Sequence, residues 1–246
     1  MASPLAQFEI KQLIPITLSD YDISYTNSSL AMSFTVFFIL LFLFIGLKKP
    51  SIIPGKIQTI IELSYDFIGS MIQDNIGKEG IKYLPLVFTL FFFILIGNLL
   101  GMLPYSFTFT SHIIVTFALS FCIFLAVTLL AIYKHGIINF LAFFAPKGVP
   151  KLMLVLLIPI EIISYLSRPV SLSVRLFANM MAGHTLLKVI GGFVFVLAAN
   201  TYLIGGILPL AFLVALTGLE IVIAFLQAYV FAILTCLYIN DAIHLH

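Results

Sequence analysis

Beyond Lys151 the chain carries six charged residues: Glu161, Arg168, Arg175, Lys188, Glu220 and Asp241. They lie within or at the edge of two apolar stretches, 152–199 and 203–241. Charges near the end of a membrane span can snorkel to its surface, a reading open to Lys188 and Asp241. Arg168 is open to the same reading, because Pro169 can bend the chain there. Arg175 and Glu220 are not, since both lie well inside their stretches. An arginine at the centre of a membrane helix costs about 2.5–3.5 kcal/mol, so it implies a partner or a function. Glu161, Arg168 and Arg175 recur every seven residues and share one helical face, with ~20° of drift per heptad. Asn179 follows Arg175 by four and joins that face. Glu220 and Gln227 repeat the seven-residue spacing. His184, nine residues beyond Arg175, can approach Glu220 if the two stretches run antiparallel. Together these residues form a polar track through apolar helices, which is the chemistry of a proton path.

Such a track requires a membrane around it. Of 246 residues 62% are hydrophobic and only 9% charged, where a soluble domain carries about a quarter charged. From Tyr83 to Tyr133 no Asp, Glu, Lys or Arg occurs in 51 consecutive residues. A water-facing surface of that length needs charge, so lipid is the surrounding solvent. The net charge of +2 points to no nucleic-acid partner. Cys122 and Cys236 both sit in apolar runs and read as small packing residues, with neither disulfide nor metal-ligand spacing. The N-terminus shows neither a basic secretory n-region nor an Arg-rich transit peptide, so the protein is expected to be made where it is inserted.

The apolar runs 30–47, 84–104 and 113–133 each approach the ~20 residues that cross a hydrocarbon core. Residues 57–75 mix Glu62, Asp66 and Gln73 with apolar residues at helical spacing and read as an amphipathic helix on the membrane surface. The last two stretches are too long for upright helices, since 39 residues give ~58 Å against a ~30 Å core. They must be tilted, curved or broken, with Gly191-Gly192, Gly205-Gly206 and Pro209 as break or turn points. The expected fold is all-α, with about five crossings, one surface helix, and a final hairpin of two long slanted helices. Lys48, Lys49, Lys56, Lys78 and Lys82 follow the first span, whereas the loop after the second has no Lys or Arg. Lys134, Lys147 and Lys151 follow the third. That alternation puts the N-terminus outside and the lysine-rich loops inside.

The run S-V-R-L-F-A-N-M-M-A-G-H, residues 173–184, resembles the signature of the subunit a family of F-type ATP synthases. The resemblance extends to A-L-T-G-L-E-I-V-I-A-F-L-Q-A-Y-V-F at 215–231, to the terminal Y-I-N-D-A-I-H-L-H, to G-N-L-L-G-M-L-P-Y-S-F-T-F-T-S-H upstream, and to the N-terminal S-P-L-A-Q-F-E-I. It implies that Arg175 is the essential arginine facing the c-ring. It further implies that His184 and Glu220 are a coupled pair in the proton-entry half-channel, with Asn179, Gln227 and Asn98 nearby. Glu161 and Ser171 fall to the exit half-channel. The arrangement of His184 and Glu220 matches mitochondria and their bacterial relatives, and the S-R-P-V-S-L-S run before Arg175 leans bacterial.

The implied partners are the c-subunit ring, the peripheral-stalk b-type subunits, other ATP synthase subunits and lipid. The implied location is the bacterial inner membrane, with the mitochondrial inner membrane as the alternative. There is no glycine-rich phosphate loop and no Walker lysine, so no nucleotide site and no cofactor are expected in this chain. Two rival readings predict different behaviour. A secondary transporter would show internal repeats, and none is visible; a structural anchor would conduct protons unchanged without Arg175.

Overall fold

A computed structural model of the chain describes residues 8–18, 21–22, 24–48, 51–103, 106–144, 151–200 and 204–244. Lys49, Pro50, Pro104, Lys147 and Leu203, which bear on the boundaries and orientation above, lie outside them.

Among the described residues four short strands precede the first helix: β1 (Gln12–Ile14), β2 (Thr17–Leu18), β3 (Tyr21–Asp22) and β4 (Tyr25–Thr26). β1 pairs antiparallel with β4, and β2 with β3. Asn27 ties this segment to the first helix: its side-chain amide donates to the Glu9 carbonyl at 3.0 Å, and its backbone N–H to that of Lys11 at 3.1 Å. Helix α1 (Asn27–Leu47) starts at Thr26, whose hydroxyl oxygen accepts from the Ser29 N–H at 3.3 Å. That oxygen satisfies one of the donors a helix start leaves unpaired.

Helix α2 (Lys56–Ile76) buries Ile61, Ile68, Met71, Ile72 and Ile76 along one stripe, while Ile60, Leu63 and Phe67 stay exposed. It ends at Gly77 with φ of +84°, a backbone conformation that a side chain would strain. A 3-10 turn (Lys78–Tyr83) leads into α3 (Leu84–Gly101), and α4 (Ile113–His135) and the short α5 (Ile137–Phe143) follow. Leu90, Phe91, Phe92 and Ile94 of α3 and Ile123 and Val127 of α4 are buried in the shared core.

Helix α6 (Lys151–Asn200) runs for 50 residues and α7 (Ile207–Ile243) for 37. At 1.5 Å per residue these are ~75 and ~56 Å long, so neither stands upright in a ~30 Å core. Gly191 and Gly192, read from the sequence as a break or turn, lie inside the unbroken α6. The helix needs only its backbone ladder there, and a glycine weakens that ladder without removing a donor. Pro159 and Pro169 are also internal to α6, and each removes one ladder bond. Near the second, the Ser120 hydroxyl of α4 donates to the Pro169 carbonyl at 2.9 Å, fastening α4 to α6.

The chain reverses at a 3-10 turn (Ile204–Gly206). A Cβ on Gly206 would lie 2.8 Å from that of Ala198, so the two arms close only because this position is glycine. Pro209 falls in the first turn of α7, where a missing N–H costs no ladder bond. α4 packs on α6, and α3 and α2 pack on α7. Among the described residues five helices are long and apolar enough to cross a membrane: α1, α3, α4, α6 and α7. The fold is an all-α membrane architecture with a small β hairpin at its N-terminal end.

Candidate functional site

The hairpin register decides which polar residues meet. Antiparallel arms bring together residues at similar distances from the turn, and His184 of α6 faces Glu220 of α7. His184 Nδ1 lies 3.5 Å from Glu220 Oε1, with both side chains at most 10% exposed. A carboxylate so deeply placed is costly unless paired or protonated. Its approach depends on Gly183, where a Cβ would stand 2.5 Å from Glu220 Oε1.

The loop between α3 and α4 closes over the pair. Thr108, Phe109, Thr110 and Ser111 are all buried, and the Thr108 hydroxyl lies 3.1 Å from His184 Nε2. The Phe109 ring fills the space beside Gly97, where a Cβ would be 2.5 Å from the ring. From the N-terminal segment the Phe8 ring reaches within 6.5 Å of the imidazole. Next to this mouth, His112 stacks on Phe107 at 5.1 Å, and burial holds its pKa below the usual histidine range.

The other sequence candidates occupy distinct places. Asn98 of α3 is fully buried, and neither polar atom of its amide bonds to any described residue. The same holds for both carboxyl oxygens of Glu220 by hydrogen-bond geometry. Buried polar atoms of this kind need water or a mobile proton to satisfy them. Gln227 is half-buried on α7, and Glu161 is half-buried near the start of α6. Ser171, Arg175 and Asn179 are spaced by four and exposed on one face of α6, turned away from the buried pair. Around Arg175 that face is apolar, with Val170 and Val174 48% and 42% exposed. Among the described residues Arg175 forms no ion pair. The structure thus joins His184 to Glu220 and aligns Arg175 with Asn179 and Ser171. It draws no hydrogen bond from Asn98 or Gln227 to the pair.

Two arrangements lay beyond the sequence reading. Thr108 belongs to an uncharged loop and gave no signal. Arg168 donates to Asp241 at 2.9 Å, and its guanidinium lies 5.3 and 5.1 Å from the rings of Tyr165 and Tyr238. The even spacing of these charges about the hairpin turn was the available clue. Among the described residues no three His, Cys, Asp or Glu side chains are grouped to hold a metal ion.

Residues 29–240 match the family described as ATP synthase A chain. The chain belongs to that family. It is 54% identical to ATP synthase subunit a of Mesorhizobium japonicum over 98% of this chain and 96% of that one. It is 56% identical to ATP synthase subunit a of Pelagibacter ubique, over 99% and 98% of the two chains. The subunit a of Rhodospirillum rubrum is 54% identical over the full length of both. As an ATP synthase A chain of this alpha-proteobacterial type, it is a multi-pass membrane protein acting in ATP synthesis and proton transport with the other subunits of that complex.

Proposed function

We propose that this chain is the proton-conducting stator subunit of the membrane sector, offering two offset aqueous half-channels to a rotating ring of c subunits. The observation that carries this reading is the placement of Arg175, exposed on an apolar helix face between His184, which pairs with Glu220 of α7, and Glu161. His184, paired to Glu220, lies nine residues to one side, ~14 Å along the axis, and Glu161 lies ~21 Å to the other. Entry runs past His184 and Glu220, with Gln227 and Asn98 as further polar residues of the path and Asn179, on the Arg175 face of α6, at its ring-side end. Exit runs past Glu161 and Ser171. The b-type stalk subunits hold the chain still, and the bilayer is the bacterial inner membrane.

A ring carboxyl can face lipid only when neutral. It must release its proton before passing Arg175 and regain one before returning to lipid. Arg175 suits that place because its charge favours the carboxylate locally. Guanidinium also does not give up its proton in a protein, so this side chain cannot pass protons between the half-channels. A lysine would leak, since burial readily strips its proton. The driving force is about 2.3 kcal/mol per proton per 100 mV of membrane potential, so several protons must pass for each ATP.

The test compares vesicles containing the complete ATP synthase with Arg175 intact and as Arg175→Ala. The expected outcome is loss of ATP-driven proton pumping with assembly preserved and passive leak unchanged or raised. Pumping at the normal rate in an assembled mutant would leave the chain as an anchor for other subunits.

A further inference from the structure

We propose that Thr108 is a positioning residue of the proton-entry path, fixing the tautomer of His184 so that Nδ1 faces Glu220 as the proton acceptor. This rests on the entry-path reading of His184 and Glu220. A threonine hydroxyl has one proton to give. In this arrangement that proton goes to the Gly101 carbonyl at the end of α3, 3.1 Å away, which can only accept. Toward His184 Nε2, at 3.1 Å, the same oxygen can then only accept, so Nε2 carries hydrogen. In the neutral imidazole that leaves the lone pair on Nδ1, and Nδ1 is the atom 3.5 Å from Glu220 Oε1.

The consequence is a reversible proton exchange across one contact. A protonated Glu220 can pass its proton from Oε1 to the Nδ1 lone pair, leaving a carboxylate facing an imidazolium, and the reverse step restores both neutral forms. Nε2–H stays on Thr108 throughout. With the opposite tautomer, a neutral His184 would present N–H to a protonated carboxyl, and the proton would have no acceptor.

The surroundings hold this geometry. The Ser106 hydroxyl donates to the Leu100 carbonyl at 2.6 Å, pinning the loop to the end of α3. A Cβ on Gly101 would stand 2.6 Å from Thr108 Oγ1, so the hydroxyl reaches the helix end only across a glycine. Among the described residues the groups around His184 include Glu220 from α7, Thr108 from the loop, Phe8 from the N-terminal segment, and Lys188 one turn along α6. Among them Thr108 is the one that engages Nε2.

The hydroxyl can be separated from side-chain shape. In inverted vesicles with the complete ATP synthase, ATP-driven pumping is measured per assembled complex for Thr108→Val, Thr108→Ser and Thr108→Ala, beside Glu220→Gln. Val keeps the shape without the hydroxyl, and it should pump about five- to tenfold more slowly, the loss of one orienting hydrogen bond. Ser should stay within about twofold of wild type, and Ala should match Val. If Val fails to assemble, the Ser and Ala pair decides, since they differ by one oxygen. Wild-type rates in the variants lacking the hydroxyl, or equal slowing in Ser and Ala, would overturn the role of Thr108. If Glu220→Gln is slow in that case, the entry-path reading stands. Glu220→Gln at the wild-type rate would remove that reading and this one with it.

Discussion

Arg175 and Glu220 are both ionisable groups within long apolar helices, yet one is exposed and the other buried. The difference follows from their chemistry. A carboxyl can lie in an apolar site by keeping its proton, whereas a guanidinium stays charged everywhere and must meet its partner across an open face. Gly183 supplies the room for the carboxyl, and this yields a test in which two principles oppose each other. Alanine is the better helix former, so Gly183→Ala should favour α6 by about 1 kcal/mol. Its Cβ would instead collide with Glu220 Oε1, so pumping should fall several-fold while the complex assembles normally. Adding Glu220→Asp, which shortens the carboxyl by one methylene, should recover part of that loss. Normal pumping in the single variant would mean that the carboxyl has room to move aside.

At the scale of the element, the hairpin of α6 and α7 is held by contacts near both ends. Gly206 against Ala198 closes the turn, and Arg168 with Asp241 ties the far end between two tyrosine rings. The Asp241 side chain is 46% exposed, so solvent screens the pair, and its coupling should be near 1 kcal/mol. Stacking of the guanidinium on the rings adds a contribution that survives loss of the carboxylate. Melting temperatures of the purified complex for Arg168→Gln, Asp241→Asn and the double variant should show this. The double variant should melt close to Arg168→Gln alone, whereas additive losses would show that the two side chains act independently. Lys134 and Glu79 form a second ion pair at 3.1 Å between α4 and the turn before α3, but both are well exposed and add little.

For the whole molecule, the notable feature is how much of the hairpin is left uncovered by α1 to α5. Leu208, Phe212, Leu219 and Val222 of α7 are between 55% and 80% exposed, as are Val155, Leu156 and Ile163 of α6 at 67% to 75%. In a bilayer that surface meets lipid or neighbouring subunits, and the proposed ring contact lies on its Arg175 side. Cysteines introduced at Val174 and at Leu172 provide the test, with Cys122 and Cys236 first replaced by Ala. Val174 is 42% exposed and Leu172 is 3%, so a short thiol-reactive cross-linker should join position 174 to a ring subunit and leave 172 unlinked. Equal linking at both positions would contradict the orientation of α6.

The sequence by itself determined that this chain lives in lipid, because 51 residues without an acidic or basic side chain have no other solvent. It also singled out Arg175, His184 and Glu220, because ionisable groups inside apolar helices are rare and conspicuous. Hydropathy and spacing are one-dimensional signals, however, and they report which solvent a residue prefers rather than which residue it meets. Thr108 and His184 are 76 positions apart, and the packing of a buried loop on a hairpin brings them together. Arg168 and Asp241 are 73 apart and meet because the arms turn at Ile204–Gly206. Gly191-Gly192 looked like a break because glycine is permissive, yet the ladder of α6 runs on through it. The strands of residues 12–26 are too short for alternation to reveal them. Only the tertiary structure decided which polar atoms face each other, because that depends on helix register and close backbone approach.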